Sequence, residues 1–90
     1  MAAALGQQWV VVQFNPNTPL ATARHVITAC SRLPGARPEA VSAAAPGANF
    51  VSTANIDVTS ASSADLARLQ VCLQRYGSVQ GLTLQDAGGG

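Results

Sequence analysis

The chain has 90 residues, 48% of them hydrophobic and 10% charged, with a net charge of +1. That length supports one hydrophobic core and not two. Five arginines (Arg24, Arg32, Arg37, Arg68, Arg75) are scattered against Glu39, Asp57, Asp65 and Asp86, and lysine is absent. This offers no clustered basic face of the kind that neutralises phosphates, so nucleic acid is a poor partner. The apolar run Trp9–Val12 is far shorter than the roughly 20 residues that span a bilayer, so no membrane insertion is expected of this segment. Met1–Leu5 lacks the basic start and the long apolar stretch of a signal peptide. Residues 1–7 and 87–90 read as frayed or added ends around a single domain at 8–86, with any natural signal or anchor outside the segment.

Gln8-Trp9-Val10-Val11-Val12-Gln13-Phe14 is a β-branched and aromatic run closed by Asn15-Pro16-Asn17, the pattern of a buried strand ending in a turn. Thr18-Pro19 then reads as a helix start, with the Thr18 hydroxyl capping free amides and Pro19 at the first helical position. Leu20, Ala23, Ile27 and Cys30 fall at helical spacing, and Leu33-Pro34-Gly35 stops the helix. A short edge strand is expected over Glu39–Ala44, with Pro38 suited to an edge.

After the turn Pro46-Gly47-Ala48-Asn49, residues 50–59 alternate with period two. This predicts a ten-residue strand with Phe50, Ser52, Ala54, Ile56 and Val58 on one face and Val51, Thr53, Asn55, Asp57 and Thr59 on the other. Ser62 followed by Asp65 is close to a capping box and starts a second helix, whose inward stripe is Leu66, Leu69, Leu73 and Tyr76 and which Gly77 ends. Val79–Leu84 reads as the fourth strand. The order strand, helix, strand, strand, helix, strand is the split βαβ layout and predicts an α+β fold, ferredoxin-like βαββαβ, with a four-stranded antiparallel sheet and two helices on one face. The first and third strands are expected side by side in the centre.

Cys30 and Cys72 each lie in the second half of a helix. The two central strands are expected to run parallel, so that the two helices run in the same direction on one face and bring these two residues level. Two readings stand: a disulfide, which implies an oxidising compartment, or a pair of ordinary buried thiols, which leaves a cytoplasmic location open. Zinc is disfavoured, because two cysteines and the distant His25 do not make a ligand set. No other metal or cofactor is expected.

No catalytic residue is expected. His25 falls opposite the apolar stripe of its helix with no Ser or Cys beside it in any recognisable motif, so nucleophilic catalysis has no support. Asp57, Asp65 and Asp86 are not paired with one another. Gly77-Ser78-Val79-Gln80-Gly81-Leu82 resembles part of the acylphosphatase phosphate loop. In that family the loop follows the first strand and leads into a helix N-terminus. Here it follows the second helix, no helix comes after it, and Thr83-Leu84 stands where the family has its arginine.

The open face of the sheet is expected to carry Trp9 and Val11 beside Val51, Thr53 and Asn55. RNA-binding domains of this layout stack bases on aromatics there, and only Trp9 could serve. Trp9 either packs over a sheet edge or belongs to a protein-contacting surface made of these five residues. The layout and cysteine pair resemble small extracytoplasmic domains of bacterial membrane and secreted proteins, including those of division-associated ABC-type permeases. The missing chemistry, together with Trp9 and the cysteine pair, points to a non-catalytic exported domain that uses the open sheet face, or an exposed strand edge, to bind a protein partner or itself. The alternative is a sensing domain that binds a small metabolite between two subunits.

Overall fold

The computed structural model describes residues 7–86. They form an α+β fold of six elements: β1 (Gln8–Phe14), α1 (Leu20–Cys30), β2 (Arg37–Pro38), β3 (Thr53–Asp57), α2 (Ser63–Gln74) and β4 (Val79–Asp86). The sheet order is β2-β3-β1-β4, and every neighbouring pair is antiparallel. Val10, Val12 and Phe14 of β1, with Ala54, Ile56 and Val58, face Ala23, Val26, Ile27 and Cys30 of α1 and Leu69 and Leu73 of α2 in one buried cluster. Both helices therefore cover the same face of the sheet, and no described helix or strand covers the other.

β1 matches its expected bounds, because a dense run of β-branched residues in the central strand is paired on both sides. The two central strands are antiparallel rather than parallel, so the helices that follow them also run in opposite directions. Three contacts fix this arrangement. Cys30 is bonded to Cys72, His25 meets Tyr76 edge to face with ring centroids 6.2 Å apart, and Gly35 beyond α1 abuts Ser60 and Ala61 ahead of α2.

The start of α1 is built differently from the sequence expectation. Thr18 does not cap the helix; it is buried, and its hydroxyl donates to the Asn15 carbonyl at 2.7 Å. Pro19 is the N-cap, and the Leu20 amide is satisfied by the Asn49 carbonyl at 2.8 Å. A backbone acceptor from a distant turn thus replaces the side-chain cap. α2 starts as expected, with the Ser62 hydroxyl accepting from the Asp65 amide at 3.1 Å.

The edge strand expected over Glu39–Ala44 is displaced and shortened to Arg37–Pro38. Beyond it the chain still follows β3 through two backbone bonds, Glu39 to the Asn55 carbonyl at 3.0 Å and Ala44 to the Phe50 carbonyl at 2.8 Å. The alanine-rich sequence has little strand preference to complete the ladder. β3 is also shorter than its alternation predicts. Phe50 bridges Pro19, Ser52 forms a bend, and regular pairing starts only at Thr53.

That bend shifts the alternation by one residue. Val51 is fully buried at 0% exposure and donates its amide to the Thr18 carbonyl. It is a core residue, and its assignment to the open sheet face is corrected.

Candidate functional site

The uncovered face of the sheet is a grid set by strand register. Trp9 lies between Asp57 on β3 and Gln85 on β4, with Arg37 on β2 opposite Asp57. The next row is Asn55, Val11 and Thr83, and the third is Thr53, Gln13 and Gly81. Side chains opposite one another point to the same side of the sheet. Trp9 and Val11 therefore form a partly exposed apolar ridge on the central strand, framed by amides, hydroxyls and one pair of opposite charges. Of the five residues expected here, the structure brings together Trp9, Val11, Thr53 and Asn55.

Sequence reasoning missed the contributions of β2 and β4 to this face. Thr83 and Gln85 follow from the alternation of β4, but their alignment with Val11 and Trp9 depends on pairing across the chain. The corner at Asp57 is electrostatically defined. Its carboxylate accepts the Thr59 amide at 2.9 Å, and this bond is the largest influence holding its pKa below the usual value. The Thr59 hydroxyl acts in the same direction when its proton turns to Asp57 rather than to the Gln8 carbonyl 3.3 Å away, and the Arg37 guanidinium adds a smaller effect.

The residues weighed for chemistry stand apart. His25 is exposed on α1, in the helical layer, and touches Tyr76, whereas Asp57 lies in the sheet. Asp65 is held at the start of α2, with Arg68 3.8 Å away. Cys30 and Cys72 are joined as a disulfide with Cα atoms 5.7 Å apart. Among the described residues, no group of three or more His, Cys, Asp or Glu side chains is placed to hold a metal ion. No helix among them is long and apolar enough to cross a membrane.

The Gly77–Leu82 segment turns directly into β4, and the Gly77 and Ser78 carbonyls accept from the Asn15 side chain and amide at 2.6 and 2.8 Å. Its connection is therefore a strand clasp rather than a lead into a helix N-terminus.

A second surface lies on the helical side. Leu66, Leu69, Gln70 and Leu73 of α2 and Leu82 and Leu84 of β4 line an apolar groove along the outer strand. Leu84 is 49% exposed there. No protein-family model, curated protein or solved structure gives a significant match to the chain.

Proposed function

We propose that this chain is a non-catalytic, exported protein-interaction domain of the ferredoxin-like kind, which presents its uncovered sheet face to a protein partner. The observation that carries this reading is the ridge of Trp9 and Val11 along the central strand. It is framed by Asn55, Thr53, Thr83 and Gln85 and lies opposite the helical layer. An aromatic anchor within a polar rim is the usual anatomy of a protein-binding patch. The antiparallel sheet order β2-β3-β1-β4 with two helices on one face supports the ferredoxin-like assignment.

The Cys30–Cys72 bond supports an extracytoplasmic setting, since cytosolic thiols are normally kept reduced. The open face favours protein over nucleic acid, because Arg37 is opposed by Asp57 and Trp9 has no aromatic directly opposite it for stacking successive bases.

Photo-crosslinking in the native host tests the surface, with a benzophenone amino acid at position 9 and, as control, at the exposed helical position 64. The expected result is a discrete protein adduct from position 9 that Val11→Ser diminishes. Equal adducts from both positions, or none from position 9, would overturn the reading. Thiol counting on protein taken from that host tests the compartment: no free thiol is expected, and two free thiols would remove the exported assignment.

A further inference from the structure

The two edges of the sheet are guarded very differently. β2 is two residues long and carries Arg37 and Pro38, a charge and a missing donor, both of which discourage strand addition. β4 is eight residues long, contains neither lysine nor proline, and has Asp86 at its far end as its one charge. No described strand pairs with its outer side.

The hydrogen-bonding phase of that outer edge follows from the ladder. Phe14 donates to the Ser52 carbonyl and the Gln8 carbonyl accepts from Val58, so the even-numbered residues of β1 bond toward β3. The odd-numbered residues Trp9, Val11 and Gln13 then bond toward Gln85, Thr83 and Gly81. This leaves the amides and carbonyls of Leu82, Leu84 and Asp86 directed away from the sheet, and the Leu82 and Leu84 side chains lie in the apolar groove beside α2.

We propose that β4 is a self-association edge, and that its occupant is the β4 strand of a second copy of this chain, antiparallel about a two-fold axis at Thr83. In this register Leu82 pairs with Leu84 of the second copy and Leu84 with its Leu82, using the outward-facing amides and carbonyls on both strands. Thr83 faces Thr83 in a non-hydrogen-bonded position, and Gln80, where the β1–β4 register shifts, comes level with Asp86 of the second copy at the end of the ladder. The strand is therefore complementary to itself, as a two-fold interface requires.

The charge pattern fits this occupant. Each Asp86 meets a neutral Gln80, so the two carboxylates lie at opposite ends of the interface. The apolar grooves of the two copies become continuous over the leucine pairs, and threonine pairs across antiparallel strands are favourable. Two four-stranded sheets join into one of eight, with both Trp9 ridges on the same side. The inference deepens the reading of the chain as an interaction domain but uses a separate surface.

Sedimentation velocity on the full chain is the first test, with a dimer at twice the 9.1 kDa chain mass expected. Thr83→Cys is expected to give an intermolecular disulfide under mild oxidation, since Cα atoms in non-hydrogen-bonded antiparallel pairs lie about 4.5 Å apart. Gln85→Cys, out of register with itself, is expected to give none. Leu84→Lys should weaken the dimer at least about tenfold with the fold retained by circular dichroism. A monomer at all concentrations, a dimer that cross-links at position 85 but not 83, or a dimer indifferent to Leu84→Lys would each overturn the proposal. Trp9→Ala is expected to leave the dimer intact, so failure of the sheet-face reading and failure of this one are distinguishable.

Discussion

Gly35 sits at φ +79°, and a Cβ built there would lie 2.6 Å from the backbone of Ser60 and Ala61. The chain leaving α1 passes so close to the start of α2 that both the left-handed conformation and the missing side chain are used. Gly35→Ala is therefore expected to cost about 2–3 kcal/mol, read as a loss in the urea midpoint at unchanged slope. Gly47, at φ +80°, has open space around its missing Cβ. Gly47→Ala meets only the conformational penalty and is expected to cost about 1 kcal/mol.

Asp57 gives a pH dependence. Its folded pKa is lowered from 3.8, first by the Thr59 amide. A carboxyl group lowered on folding adds stability above its unfolded pKa and loses it as pH falls through the folded value. Asp57→Asn should thus be less stable than the parent at pH 7, with the difference shrinking from about pH 4 downward. Thermal melts between pH 2 and pH 7 measure this, and a gap that stays constant across the range would show that Asp57 is not the titrating group.

At the scale of elements, the disulfide ties α1 to α2, which otherwise meet along a short antiparallel crossing. The bond spans 42 residues of sequence. By loop-closure entropy it adds about 4 kcal/mol relative to the open chain. Reduction, or the double change Cys30→Ala and Cys72→Ala, should lower the melting temperature by about 15–30 °C for a domain of this size. A drop of a few degrees would mean that the core holds the helices without the bond. The placement of both cysteines late in their helices was legible in the sequence. The reason they meet was not: the helices run in opposite directions and overlap at their C-terminal halves, an arrangement set by the antiparallel pairing of β1 and β3. Local alternation likewise failed at Val51, because a bend at Ser52 shifts the residues ahead of β3 by one, and that bend is held by the Val51 amide donating to the Thr18 carbonyl and the Ser52 carbonyl accepting from the Phe14 amide.

For the whole molecule, the division follows the range of the forces involved. The bounds of β1, the capped start of α2, the inward stripe of Leu69 and Leu73 and the order of the six elements were readable from the chain, since each depends on residues within a turn or two of one another. Trp9, Val11, Thr53 and Asn55 were placed correctly on one face for the same reason: strand alternation is local. The sequence layout also placed β1 and β3 side by side in the centre; the tertiary structure alone decided that they run antiparallel and in what register each pair meets. It thereby set Thr83, Gln85 and Arg37 beside the Trp9 ridge, buried Val51, replaced the Thr18 cap with the Asn49 carbonyl, and left β4 rather than β2 as the long unguarded edge. Those outcomes depend on backbone groups, which are chemically alike at nearly every residue, so side-chain pattern by itself does not specify which distant amide meets which carbonyl.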